Sequence, residues 1–389
     1  MRDGVVIAGG GLAAQRCAET LRRLGYEGRV RMVCAETHLP YDRPPLSKEV
    51  LGDPAAEDSV AFRSDVWYQD KGIELLRGVD ASGLDATAHR LELADGSALA
   101  YEQLVIATGS RPRMLPAFAP YENVSTLRTL EDSRAIRELL QARSRLLIIG
   151  AGFIGQEVAV AARAAGVEVT VIEAEELPLR GLLGHEMGTW FAELHRGEGV
   201  ELVLGHTATQ LHGDGRVEAV TLDDGRRVET DHVLVGIGVV PDTDWVASAG
   251  LPSGAIATDE GGRSELPDVY AAGDAAAFYD AFLGRHTPSG HWESAGRQGA
   301  AVANSIVGRA PAAAALSSFW SDQYGVRIQY IGHAHLADSV SFEGDRGERD
   351  FVAVYTREGE AVAALIVGRP KALPELRDRL SYITERTPA

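Results

Sequence analysis

Apolar positions along the chain fall into short blocks that stop at glycines and then give way to helical spacing. The first block, Val5-Val6-Ile7-Ala8, ends at Gly9-Gly10-Gly11. The pattern predicts a strand over 4–9, a helix over 12–24 closed by Gly25, and a second strand over 29–34 near Glu36. The same succession returns at 145–149, with Gly150, Gly152 and Gly155, a helix to about Ala165, Gly166, and a strand ending at Glu173. Continuous apolar runs of this length, bounded by glycine, read as buried parallel strands.

The segments between and after these units repeat as well. Strands with turn signals such as Asp95-Gly96 lead to 104–113, a buried strand that stops at Thr108-Gly109. Hairpin turns at Asp214-Gly215 and Asp224-Gly225 lead to 232–243, which closes the second unit in much the same way. This half-against-half repetition is itself an organisational signal. An apolar strand over 269–278 ending at Gly273-Asp274 follows, then a small-residue helix over 294–308 and a linker-like 310–315. Alternating strands over 319–332 and 350–368 predict a separate α+β tail with hairpins.

Each glycine cluster has a chemical reading. Gly9, Gly11 and Ala14 fit G-x-G-x-x-A, and Gly150, Gly152 and Gly155 fit G-x-G-x-x-G. Such a turn brings backbone N–H groups and a helix N-terminus to a pyrophosphate. An acidic residue follows each cluster by about twenty positions, Glu36 and Glu173, where a carboxylate can take ribose hydroxyls. Two dinucleotide sites in one chain imply electron transfer between them.

Composition narrows the field further. The 389 residues leave room for two or three domains, with 45% hydrophobic and 24% charged residues. A net charge of −18 argues against nucleic acid as a partner. No run of apolar residues is long enough to span a membrane, and a cytoplasmic protein is expected. Cys17 and Cys34, the two cysteines, read as buried small residues in the first helix and at the end of the second strand. No Cys/His metal spacing occurs, and His286, His291, His333 and His335 lack ligand-spaced partners, so no metal is expected.

HLPYDRPPLSK, ATGSRPR, LRTLEDS, GAGFIGQE, GIGVVPDT, YAAGDAA, GHWESA and FWSDQYG together resemble the FAD-dependent pyridine-nucleotide reductases. RPPLSK and FWSDQYG make the resemblance specific to the ferredoxin reductases that serve cytochromes P450 and Rieske oxygenases. It covers essentially the whole chain. One departure is Gly290, where family members often carry an acidic residue before the His-Trp element; it bears on tuning at the flavin, not on the class.

The resemblance implies an α/β, glutathione-reductase-like fold of two Rossmann-like dinucleotide-binding domains plus a small α+β C-terminal domain. Residues 1–112 and 248–316 would form a discontinuous FAD domain, 113–247 the NADH domain, and 317–389 the C-terminal reductase domain. Gly9, Gly11, Leu12, Ala13 and Ala14 would meet the FAD pyrophosphate and Glu36 the adenosine ribose. Arg43 and Lys48 would sit near the pyrophosphate and isoalloxazine, with Ala81, Thr108 and Gly109 close by and Arg128 reaching in. Gly273 and Asp274 would bind the ribitol or phosphate side, and His291, Trp292 and Trp320 would lie by the ring.

On the nicotinamide side, Gly150, Gly152, Phe153, Ile154 and Gly155 would cradle the pyrophosphate, with Gly238 also at the cofactor. Glu173 suits a free 2′-hydroxyl, and the following Ala174-Glu175-Glu176 offers no arginine to a 2′-phosphate, which favours NADH. Lys48 and Glu157 are the catalytic candidates: the lysine would stabilise the anionic reduced flavin, and Glu157 would orient it and the nicotinamide amide. Plainer readings stand beside these. Lys48 and Glu157 fit an ordinary ion pair, Arg43 a surface charge, Asp274 a helix N-cap, and Glu173 a solvated strand end.

Relatives that reduce disulfides or peroxide use cysteines near the residue-40 loop, and here that loop has none. The expected acceptor is therefore a small iron–sulfur ferredoxin of [2Fe–2S] type, docking on a basic patch to which Arg285, Arg297 and Arg309 are assigned. A monomer or weak homodimer is expected. The alternatives are a rubredoxin reductase, an NADH oxidase-like enzyme, or a redox-responsive interaction protein resembling apoptosis-inducing factor.

Overall fold

The structure is a computed structural model that describes residues 3–281, 283–311 and 316–384, with side chains to residue 380. The first apolar block forms the strand Val5–Ala8 at the centre of a five-stranded parallel sheet. Its neighbours are Val30–Cys34 and then Ile73–Arg77 on one side, and Gln103–Ile106 and then Val269–Ala271 on the other. The last of these returns to the first sheet from far along the chain. The helix Leu12–Arg23 covers one face, together with Trp292–Ile306. Their contact is close because Gly299 faces Ala13, whose carbonyl oxygen would lie 2.1 Å from any Cβ there.

The second unit repeats the plan. Leu146–Ile149 lies between Val169–Glu173 and His232–Val235, with Glu201–Leu204 and Val124–Ser125 at the edges, all parallel. The helix Phe153–Ala164 follows its glycine loop. The tail is a five-stranded antiparallel sheet in the order Ser318–Gln323, Val326–Gly332, Glu360–Val367, Asp350–Arg357, Ser339–Asp345. One face packs on the helix Arg180–Gly197 through Leu183, Met187, Trp190 and Phe191, and the other on Leu376 and Leu380.

Two strands end near the glycines where the sequence stops them, and each glycine has positive φ. The run over 104–113 ends its sheet pairing at Ile106, and Gly109 (φ 77°) turns the chain. Ser110–Pro112 then pairs antiparallel with Val239–Pro241, so the closing segments of the two units bind each other. The run over 269–278 divides at Gly273 (φ 74°): Val269–Ala271 stays in the first sheet, and Ala276–Asp280 joins Ile256–Thr258 and Arg285–Pro288. Both breaks turn backbone into the space between the units. Residues 312–315 of the linker lie outside the described residues.

Cys17 and Cys34 sit where the apolar pattern puts them, buried, and burial pushes both thiols up to about 12. Burial acts in the opposite direction on His195 in the helix Arg180–Gly197, lowering its pKa to about 4. Its ring is bonded to Gln156, Gln323 and Tyr324.

A histidine whose folded pKa is depressed contributes stability that is present above its unfolded pKa of 6.5 and lost as pH falls toward 4. The contribution is on the order of 3 kcal/mol. Thermal melting between pH 7 and pH 4.5 should therefore show a steeper acid loss in wild type than in His195→Gln. Parallel curves would contradict it.

Candidate functional site

The broken strand ends, the loop over 40–48 and the N-termini of three helices enclose a cavity of about 390 Å³. A second cavity of about 100 Å³ continues from it toward Glu36, and the two share Gly11, Tyr41, Arg43, Ala107, Gly109 and Arg128. Leu12, Ala13, Lys48, Gly273, Asp274, His291, Trp292 and Trp320 line the larger cavity, as do Phe153, Ile154 and Glu157. Gly9, Glu36, Ala81 and Thr108 line the smaller. Ala14 lies fully buried behind this wall, in the core.

The first glycine loop packs closely on the end of the neighbouring strand. A Cβ on Gly9 (φ 137°) would stand 2.0 Å from the Ala107 carbonyl oxygen, whereas Gly11 faces open space. No side chain caps the helix at Gly11, so its first N–H groups and their partial positive charge are left to the cavity. Arg128 lines both cavities, and its Nε has no protein partner although it is buried. A buried guanidinium donor beside an uncapped helix end suits an anion, and the elongated double cavity suits FAD, with its pyrophosphate between ring and adenosine.

The acidic residues are held in place. Glu36 accepts from Arg43 at 2.8 Å and from the Tyr41 hydroxyl at 2.6 Å, and Arg43 also reaches the Arg128 carbonyl. Arg43 is thus an ion-paired residue of the cleft wall and not a free surface charge. Asp274 accepts from Ser110 Oγ at 2.6 Å and pairs with Arg128 at 3.3 Å. It makes no side-chain cap, and the preceding Gly273 N–H is taken by Gln298 at 2.8 Å.

Lys48 and Glu157 meet at 2.7 Å, with side chains 12% and 5% exposed. Glu157 also accepts from Ser47 on the same oxygen and from Ser321 on the other, at 2.6 Å. Lys48 donates to the Pro44 carbonyl at 3.2 Å as well. Beside them Trp292 donates to Asp42 at 2.6 Å and meets Trp320 edge-on, ring centroids 5.4 Å apart. Burial raises the Asp42 carboxyl against that hydrogen bond. His291 stacks on Phe319 at 5.0 Å, and burial lowers its pKa; it belongs to the cavity wall.

Of the nicotinamide-side candidates, Phe153 and Ile154 line the larger cavity, and Gly150, Gly152, Glu173 and Gly238 line neither. The helix Phe153–Ala164 is also uncapped, at Gly152. Gly155 works through packing: a Cβ there would lie 2.4 Å from the Gly150 carbonyl oxygen. Glu173 accepts from the backbone N–H groups of Ala151 at 2.7 Å and Glu175 at 2.9 Å, so its carboxylate is fixed at the loop and not free in solvent. Gly238 (φ 95°) sits in the closing segment, and its carbonyl accepts from Arg113. These residues fit a second dinucleotide.

Sequence reasoning missed Tyr41, Asp42, Ser47, Ser110, Gln298 and Ser321. Most lie inside the motif strings that carried the resemblance, but no spacing rule says which motif residue bonds which. Of the assigned basic residues, Arg285 and Arg309 are exposed, and Arg297 is half-buried and paired with Glu293 at 3.1 Å. Among the described residues one donor cluster, His206 with Asp223 and Asp224, lies at the surface, where Arg226 also binds Asp224.

A family model described as pyridine nucleotide-disulphide oxidoreductase matches residues 3–299, and one described as reductase C-terminal matches 318–388. Putidaredoxin reductase CamA of Pseudomonas putida is 34% identical over 397 residues, covering 99% of this chain and 93% of its own. The benzene 1,2-dioxygenase system ferredoxin–NAD(+) reductase subunit of Pseudomonas putida is 34% identical over 373 residues, covering 95% and 90%. The crystal structure of the covalent putidaredoxin reductase–putidaredoxin complex matches with a TM-score of 0.93 at 33% identity, over 99% of this chain and 94% of that one.

If the orphaned Arg128 donor serves the pyrophosphate, Arg128→Met should weaken FAD binding on the order of tenfold to a hundredfold, the worth of a charge-assisted hydrogen bond. Flavin fluorescence titration of the deflavinated protein measures this. An unchanged dissociation constant would remove Arg128 from the site.

Proposed function

This chain belongs to the pyridine nucleotide-disulphide oxidoreductase family and carries a reductase C-terminal domain, and from that premise we propose how its residues share the work. It is an NADH-dependent flavoprotein reductase that uses FAD and passes electrons to a ferredoxin of a P450 or Rieske-type oxygenase system. The observation that carries this reading is the convergence of two uncapped dinucleotide loops on one buried ion pair, in a cavity lined by no cysteine among the described residues. Cys34 lines only the smaller cavity, with its thiol held protonated by burial.

When bound, FAD supplies the chemistry, accepting two electrons as hydride and releasing them singly. The protein's task is to align and to set charge. Residues 1–112 and 248–316 would hold FAD, residues 113–247 would hold NADH, and residues 317–389 would form the C-terminal reductase domain. Gly9, Gly11, Leu12, Ala13 and Arg128 hold the pyrophosphate, and Glu36, fixed by Arg43 and Tyr41, takes the adenosine ribose hydroxyls. Thr108, Gly109, Gly273 and Asp274 shape the ribityl side. Ala81 borders the adenosine end.

Gly150, Gly152, Phe153, Ile154 and Gly155 receive NADH, with Gly238 at the rim. Glu173, locked on the Ala151 N–H, presents a carboxylate where a 2′-phosphate would be repelled. Lys48, paired with Glu157, would set a positive charge beside the flavin ring, and Glu157 would orient Lys48 and the nicotinamide amide. Trp292, Trp320 and His291 shield the ring from water. The partner is a small [2Fe–2S] ferredoxin, and the reductase acts as a monomer or weak homodimer.

Stopped-flow mixing with NADH, followed by [2Fe–2S] ferredoxin and cytochrome c, tests the reading. Rapid flavin bleaching and cytochrome c reduction that requires ferredoxin are expected. Rapid bleaching with no electrons reaching any ferredoxin would move the function to an oxidase or a redox switch.

A further inference from the structure

Behind the Lys48–Glu157 pair runs a hydrogen-bond chain whose direction is dictated by its two ends. One end is the Glu157 carboxylate, which can only accept, so the Ser321 hydroxyl donates to it at 2.6 Å. Ser321 Oγ is then left to accept from the Gln323 amide at 3.2 Å. That turns Gln323 Oε1 toward His195 Nε2, 3.1 Å away. The other end is the Ala151 carbonyl in the second glycine loop. It accepts from Gln156 Nε2 at 2.8 Å, which turns Gln156 Oε1 toward the same His195 Nε2, also at 3.1 Å.

Two amide oxygens therefore face one ring nitrogen. His195 must carry its proton on Nε2, and its Nδ1 must accept from the Tyr324 hydroxyl at 2.9 Å. No tautomer or amide orientation is left free. Gln156, Ser321, Gln323, His195 and Glu157 are all buried, so a broken link would leave polar atoms that water cannot satisfy. Burial also keeps the ring neutral at physiological pH.

We propose that His195 is a positioning residue: as the neutral Nε2–H tautomer it joins the Ala151 carbonyl of the nicotinamide-nucleotide loop and the Glu157–Lys48 pair at the flavin into one hydrogen-bond circuit. His195 lies on the helix Arg180–Gly197 and touches neither cavity. It acts through Ser321 and Gln323 on Glu157, and through Gln156 on the loop. The consequence is that the loop that would receive the nicotinamide nucleotide and the Lys48 charge that would sit beside the flavin are oriented by the same group. The inference rests on the reading that Lys48 and Glu157 serve the flavin.

The test is a double-mutant cycle of His195→Leu and Ser321→Ala in the holoenzyme, read as the rate of flavin bleaching at saturating NADH. Lys48→Met serves as the control. Each single variant should be slower on the order of tenfold to a hundredfold, the effect of misplacing a reacting group by about 1 Å. The double variant should be no slower than the slower single, because both cut one chain. His195→Gln, which keeps a donor at the Nε2 position, should recover most of the rate. If His195→Leu does not fold, Tyr324→Phe, which removes only the hydroxyl facing Nδ1, takes its place in the cycle.

Ring ¹⁵N spectra of the FAD-free and FAD-bound protein give a readout independent of turnover, and His195 should show the Nε2–H tautomer in both. Multiplicative losses in the double variant, wild-type rates in both singles while Lys48→Met is slow, or an Nδ1–H tautomer would overturn the inference. If Lys48→Met bleaches at the wild-type rate, the assignment of the pair itself fails, and the positioning role falls with it.

Discussion

The contact on which the cleft depends is the buried ion pair of Lys48 and Glu157. Removing two charges from water is expensive, and their attraction offsets the cost only when the remaining polar atoms are also bonded. Here the bonds come from three separate parts of the chain. Ser47 and Pro44 belong to the loop after the first unit's second strand, Glu157 to the second unit's helix, and Ser321 to the first strand of the C-terminal sheet. Withdrawing the loop or the helix would leave a buried charge unpaired, at about 3–5 kcal/mol for a broken buried pair, and withdrawing the strand would remove the Ser321 hydrogen bond to Glu157. The pair therefore fixes how the parts meet.

In the proposed function, that meeting place is also where the two dinucleotides face each other. Each unit directs an uncapped helix N-terminus toward the same cleft, and each ends its sheet with a strand that breaks at the cleft edge. The broken ends pair with each other across the units. Hydride transfer requires close alignment and little proton chemistry from the protein, so rigidity at this junction matters more than any acid or base. Trp292, Trp320, Phe319 and His291 form an aromatic wall at the same place.

Much of this was legible in the sequence because glycine spacing and apolar runs report local backbone requirements. The two strand–turn–helix units, the buried cysteines and the antiparallel tail follow from such local rules. The path of the chain inside an apolar run does not. The stops at Thr108-Gly109 and Gly273-Asp274 were legible, but the pairing of Ser110–Pro112 with Val239–Pro241 and the passage of Ala276–Asp280 into another sheet were not. Burial patterns cannot distinguish one buried strand from two that belong to different sheets.

Long-range partners were hidden for a related reason. Asp274 suggested a helix cap by its position, but its carboxylate is held by Ser110 and Arg128, far away in sequence. His291 was expected beside Trp292 and lines the cavity, but its stacking partner Phe319 could not be read from spacing. His195 carried no signal at all, because a buried histidine in a helix is defined by the amides that happen to face it.

The most direct test of the account is the midpoint potential of the bound flavin in Lys48→Met and Glu157→Gln. A lysine charge beside the ring favours the reduced form, so Lys48→Met should lower the potential by about 30 mV or more, ~1.4 kcal/mol for a two-electron couple. Glu157→Gln leaves that charge uncompensated and should move the potential upward. Shifts of opposite sign are predicted. Potentials that stay at the wild-type value, or move together, would mean that the pair holds the parts of the protein together without setting the charge at the flavin.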